Sequence, residues 1–310
     1  MRKIALSLAI LGATLVPVLY TAPAHAQASR TWVSGVGDDA NPCSRTAPCK
    51  TWAGAISKTL AGGEIDALDP GGFGGVTITK AITLDGGGGQ VASVLVAGTN
   101  GITVAAGASD VVIIRNIRIN GLLQTSGPGL NGISFTSGAQ LVIDRCDIFG
   151  FNTNGLSVAL STTGYVKVLN STFSNNPTGI SASSTSGFAL VQVVNSSFVG
   201  TNSSGTEVGV GVSAGSGGAI SVINSNFQDL ATGAQALAGG ILVVDSSFFQ
   251  FTGTAITTAS GSFFPTNVSN NSFYGSGTAF GGSGSYSSAG NNKIGSGATQ
   301  GATPGAMTVK

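Results

Sequence analysis

The chain has 310 residues, with 13 Lys+Arg, 12 Asp+Glu and one His, and charged residues make up 8% of it, against about 25% in an ordinary soluble domain. A net charge of +1 with so few basic side chains argues against a nucleic-acid-binding face, which needs clustered Lys and Arg. The 42% hydrophobic content excludes a disordered chain, which leaves a neutral, glycine-rich, all-β protein.

Residues 1–26 read as a signal peptide. Arg2 and Lys3 form a positive start, an apolar stretch runs to Leu19, and Ala24-His25-Ala26 fits the small-x-small cleavage pattern. The expected location is therefore secreted or periplasmic. Cleavage would remove His25, the only histidine. The exported chain would then lack the base of Ser-His-Asp and Cys-His systems. No later apolar run approaches the ~20 residues of a membrane-spanning helix.

Residues 27–63 are expected to hold a strand, a disulfide loop and a short capping helix. Cys43 and Cys49 flank a five-residue loop, a spacing that in an oxidising compartment reads as a local disulfide. Three thiols without histidine make a poor metal ligand set. Asp38, Asp39 and Asn41 read as turn formers, with calcium binding as the alternative use. No other cofactor is expected. Trp52, Ala55, Ile56 and Leu60 share one helical face at 3–4 spacing. The remaining thiol, Cys146, reads as a small buried hydrophobe.

A repeat fills residues 64–295, and residues 296–310 read as a flexible tail. Its unit is a β-branched strand, then Asn or a substitute, two mostly polar residues, and Phe or Ile. Val168-Leu169-Asn170-Ser171-Thr172-Phe173 and Val193-Val194-Asn195-Ser196-Ser197-Phe198 are two instances. The closing apolar residues recur at intervals of 21 to 29. Propeller blades and helical repeats need longer periods. A β-solenoid of about eight coils with three short strands per coil fits. A second track, Gly132-Ile133-Ser134-Phe135 and its copies at Gly155 and Gly179, supplies another strand per coil. Stacking at ~4.8 Å would place Phe173, Phe198, Phe227 and Phe248 in an interior stack. It would place Asn170, Asn195, Asn224 and Asn270 in a ladder at a bend.

The opening stretch, Thr31 to Pro42 and Pro48 to Ile56, resembles that of secreted right-handed parallel β-helix proteins of the pectin-lyase-like superfamily. The resemblance implies a right-handed β-helix capped by the helix. It also raises an activity: polysaccharide lysis, in which aspartates bind calcium and a basic residue abstracts a proton, or hydrolysis, which in these relatives uses paired aspartates and a histidine. One dense charge cluster, with Arg115, Arg118, Asp144 and Asp147 at its centre, holds the candidate catalytic groups. Repeat register gives them a plainer use. Arg115 would lie beside Asp144, and Arg118 beside Asp147, as cross-strand ion pairs. Aligning residue 68 with 84 would extend the column to Glu64 and Lys80.

The position before the ladder asparagine faces outward. It becomes apolar in later coils, at Leu169, Val194, Ile223 and Val244, which would form a contact stripe for self-association or for a partner. The favoured reading is an exported, non-catalytic protein that binds glycan or another protein through a solenoid face. The alternative is a polysaccharide lyase or glycoside hydrolase.

Overall fold

The computed structural model describes residues 27–89, 91–123, 127–203 and 206–307, so the expected leader lies outside the described residues. The chain winds as a parallel β-solenoid of about nine turns. Sheet A has twelve strands, from Ala28–Val33 to Gly305–Ala306. Sheet B has ten, from Gly71–Gly72 to Lys293–Ile294, and sheet C has ten, from Val76–Ile78 to Thr299–Gly301. Each turn visits A, B and C in that order. Val111–Arg115 in A leads to Ile117–Asn120 in B and Asn131–Ser137 in C, and Gln140–Asp144 re-enters A. Along a strand the faces alternate, so Leu141 and Ile143 are buried while Val142 and Asp144 face out.

The bend from A to B takes one residue with a left-handed backbone. It is Asn116, Asn170, Asn195, Asn224 or Asn270 in five turns, Arg145 in one and Ser246 in another, all with φ between 49° and 58°. Asparagine tolerates this conformation better than other non-glycine residues. Its amide also bonds the turn below. Asn224 Nδ2 donates to Asn195 Oδ1 at 2.7 Å, and Asn170 Nδ2 donates to Asp144 Oδ1 at 2.9 Å. Ser246 interrupts the ladder, and Asn270 donates to Asp245 instead.

A second ladder runs inside the bend. Ser171 Oγ accepts from Cys146 N at 3.1 Å and donates to Leu169 O at 2.7 Å. Ser196, Ser225 and Ser247 repeat the arrangement, and Asn271 and Asn292 continue it. These buried hydroxyls satisfy backbone amides that the tight bend would otherwise leave unpaired.

The interior aromatic stack contains Phe173, Phe198, Phe227, Phe249 and Phe273, with centroids 4.6–5.2 Å apart and planes within 20°. This corrects the expected register by one residue. Phe248 is exposed and Phe249 takes its place. In the same turn Val244 is buried, and Asp245 occupies the outward position opposite Ile223. A one-residue slip exchanges the two faces of a strand.

Cys43 and Cys49 form a disulfide, with Cα atoms 4.6 Å apart. The only helix among the described residues is Trp52–Ile56, whose first turn is capped by Thr51 Oγ1 accepting from Gly54 N. Trp52 and Ala55 are buried, and the Trp52 ring packs edge-on against Phe73. The helix stops before Leu60, which is exposed on the strand Thr59–Ala67. β-branched Thr59 and the Gly62-Gly63 pair favour the strand there over a further helical turn.

Candidate functional site on the outer face of sheet A

Register assembles three outward rows on sheet A. The first runs Asp66, Asp85, Arg115, Asp144, Leu169, Val194, Ile223 and Asp245. The second contains Lys167, Gln192, Ser221 and Val243, and the third Tyr165, Leu190, Ala219 and Ile241. The face is therefore charged over its early turns and apolar over its later ones.

The charged end is a closed network. Arg30 pairs with Glu64 and, at 3.1 Å, with Asp66. Arg115 pairs with Asp85 at 2.7 Å and Glu64 at 3.1 Å. Register does place Asp144 opposite Arg115. The ion pair expected between them is replaced, because Asp144 is held by Arg145 at 3.1 Å and by Asn170. Ile65, and not residue 68, is the partner of Leu84. Glu64 thus joins the network, while Lys80 Nζ donates to Thr59 O away from it. Arg118 and Asp147 do pair, at 3.5 Å, but on the outer face of sheet B, with the Arg118 guanidinium over the Phe149 ring. The four candidate catalytic residues therefore lie on two faces separated by the bend.

Burial pushes the Asp66 carboxyl up to about 6, helped by its hydrogen bond with Glu64 and opposed by Arg30. Burial acts on Asp85 in the same sense, but hydrogen bonds from Asn116, Gly87 and Arg115 outweigh it and hold Asp85 below the ordinary carboxylate value. A carboxyl raised in the folded state binds its proton more tightly there than in the unfolded chain. Its contribution is then most favourable below the ordinary value of 3.8 and is lost as pH rises through the folded value. Asp147, also raised by burial, acts in the same direction. Stability is expected to fall from about pH 4 to about pH 6.5, and Asp66→Asn should flatten that slope. Denaturant unfolding at a series of pH values checks this. A rising slope in the unmodified protein would refute it.

The opening-loop carboxylates are engaged by the chain itself. Asp39 accepts from Lys50 N, Thr51 N and Thr51 Oγ1, and Asp38 accepts from Ala40 N. Among the described residues, no group of three or more His, Cys, Asp or Glu side chains is arranged to hold a metal ion. Cys146 is buried, and desolvation pushes its thiol up to about 12, far from a reactive thiolate.

The apolar end forms a groove of about 330 Å³ lined by Tyr165, Leu190, Ala219, Ile241 and Val243, with Lys167, Gln192 and Ser221 beside them. Tyr165 is 54% exposed. Three further exposed rings, Phe188, Phe263 and Phe264, form a cluster with edge-on contacts at 5.2–6.2 Å. Of the expected stripe, Leu169, Val194 and Ile223 lie in one partly exposed row of this face. Sequence reasoning missed the groove. Its signal was the outward residue four positions earlier in each strand, where Tyr165, Leu190, Ala219 and Ile241 recur. The outer row of sheet C is uncharged, with Thr103, Ser134, Ser157 and Ser181 in successive turns, and the next member, Ser213, is buried.

No protein-family model matches the chain, and no curated protein matches it. Among solved structures it is similar to pectate lyase Pel9A, with 14% identity and a TM-score of 0.55, over 89% of this chain and 79% of that one. It is also similar to a rhamnogalacturonan lyase, with 11% identity and a TM-score of 0.41, over 79% of this chain and 82% of that one. A third is the A-module of the mannuronan C-5 epimerase AlgE4 from Azotobacter vinelandii, with 12% identity and a TM-score of 0.35, over 78% and 91%. The chain shares with pectate lyase Pel9A the parallel β-solenoid fold described above.

Proposed function

We propose that this protein is an exported, non-catalytic β-helix that binds a polysaccharide along the outer face of sheet A. In this reading the Trp52–Ile56 helix closes the first turn. The observation that carries it is the groove, where the exposed Tyr165 ring and an aliphatic floor lie beside Lys167, Gln192 and Ser221. Sugar rings present an apolar face rimmed by hydroxyls. An aromatic ring next to hydrogen-bonding side chains suits both parts. Turns repeat every ~4.8 Å, comparable to one sugar unit, so a chain lying along the axis meets equivalent groups turn after turn. The ion network supports binding over cleavage, since Arg115 is tied to Glu64 and Asp85 and does not stand free as a base. The name of pectate lyase Pel9A, which shares the fold, joins it to work on a polysaccharide.

The test is retention of the protein on a panel of neutral and acidic polysaccharides, with a parallel assay for new reducing ends. Retention without cleavage is expected, and Tyr165→Ala should weaken it about tenfold, equivalent to ~1.4 kcal/mol. Cleavage, or retention that Tyr165→Ala leaves unchanged, would refute the reading.

A further inference from the structure

A second pocket, of about 230 Å³, lies at the bend between sheets A and B, away from the groove. Its walls include Gly88 and Gly89, Asn116, Arg118, Arg145 and Asp147. The two arginines come from successive turns, and both side chains are more than half exposed. Each is held by one side and left with spare donors. Arg118 meets Asp147 only through Nε, at 3.5 Å, and its planar group is braced on the Phe149 ring. Arg145 Nε donates to Asn116 Oδ1 at 2.9 Å, and Nη2 pairs with Asp144 at 3.1 Å. A guanidinium has five N–H donors, so both retain several for a ligand. Across the pocket, the Gly88 and Gly89 amides have no hydrogen bond among the described residues, and a Cβ at Gly89 would meet open space.

Arg145 is also out of place as a bend residue. Five other turns put asparagine at this left-handed position, where a bulky side chain is disfavoured. Asparagine at position 145 would suit the bend and could keep the bond to Asn116, so beyond its surface pair with Asp144 the arginine supplies charge and donors that the bend does not require. We propose that Arg118 and Arg145, with the Gly88-Gly89 loop, form a binding site for an oxyanion: a carboxylate, sulfate or phosphate group. Planar guanidinium forks recognise these groups through paired N–H···O bonds. Asp147 stays paired with Arg118 Nε, which offsets its charge at the pocket wall.

The test is titration of the whole protein, at constant ionic strength, with sodium sulfate, inorganic phosphate and glucuronate, followed by amide chemical shifts. Saturable binding of at least one anion is expected, with shifts at Gly88 and Gly89. The anion that binds identifies the group as sulfate, phosphate or carboxylate. Arg145→Asn and Arg118→Gln should each weaken binding about tenfold or more, as loss of charge-assisted hydrogen bonds implies. Arg145→Asn installs the residue used by other bends, so its melting temperature should hold or rise. Absence of saturable binding by all three anions, or binding that survives both substitutions, would overturn the proposal. Tyr165→Ala should leave anion binding unchanged.

Discussion

Phe227→Ala is expected to destabilise the protein by about 3–5 kcal/mol, the usual range for a buried phenylalanine cut to alanine. Phe227 is fully buried at the centre of a five-ring column. Its centroid lies 4.8 Å from Phe198 and 4.6 Å from Phe249, with all three rings nearly parallel. Truncation loses the apolar burial of one ring and two stacking contacts, and it opens a gap that the turns above and below cannot close, because ladder hydrogen bonds fix their spacing. In a solenoid each turn touches only its neighbours. The damage should therefore appear as earlier unfolding of the turns on one side of residue 227. Hydrogen exchange resolved along the chain, with urea unfolding, measures both effects. Phe248→Ala is the control, since that ring is exposed, and it should cost less than about 1 kcal/mol. Equal losses for the two variants would place the column in the other register.

Gly211→Ala should destabilise by about 1–3 kcal/mol or more, through overpacking. A Cβ at Gly211 would lie 2.4 Å from the carbonyl oxygen of Gly233 and 2.6 Å from two carbons of the Phe227 ring. The first obstacle is backbone in the next turn and the second is the packed column, so neither can swing aside. Gly179 and Gly233 meet the same pair of obstacles one turn away in each direction. Gly127→Ala is the contrasting case, because its Cβ would meet nothing within 4 Å. It should change stability by no more than about 0.5 kcal/mol. Melting of the three proteins side by side decides the matter. If Gly211→Ala were as neutral as Gly127→Ala, sheet C would not approach the aromatic column as closely as described. Combining Gly211→Ala with Phe227→Ala should cost less than the separate losses together, since removing the ring relieves half of the clash.

The repeat made the solenoid legible because its spacing and its Asn and Phe positions recur through the chain. The slip at residues 243–249 marks where local pattern stops being enough. Val243-Val244 and Phe248-Phe249 are doublets, so either register offers a valine and a phenylalanine to the core. The choice is made by the pairing of Val244 with Val222 and of Phe249 with Phe227 in the preceding turn, which the local sequence does not reveal. The inner serines were visible as the residue after each ladder asparagine, in triplets such as Asn170-Ser171-Thr172. Which hydroxyl turned inward depended on the bend geometry. At the charged cluster, register gave the Cα neighbours of Arg115 and Arg118 correctly, but not every ion pair. A long arginine reaches past its direct neighbour, and Arg115 extends to Glu64 in the first full turn. Arg30, in the first strand, completes the network from a segment that lies outside the repeat.

The serine ladder makes the length of this molecule a quantised property. Each rung gives its backbone amide to the hydroxyl of the next turn, and each hydroxyl closes on a carbonyl of its own turn. Every junction between these turns is consequently the same junction. A segment running from one bend to the next, such as the 25 residues between Asn170 and Asn195, is an interchangeable unit. Removing or duplicating it rejoins like to like, whereas inserting or deleting one residue within a strand would exchange the inward and outward faces of the rest of that strand. Loops absorb differences in the length of a turn, while each added turn lengthens the sheet faces by a fixed step of ~4.8 Å.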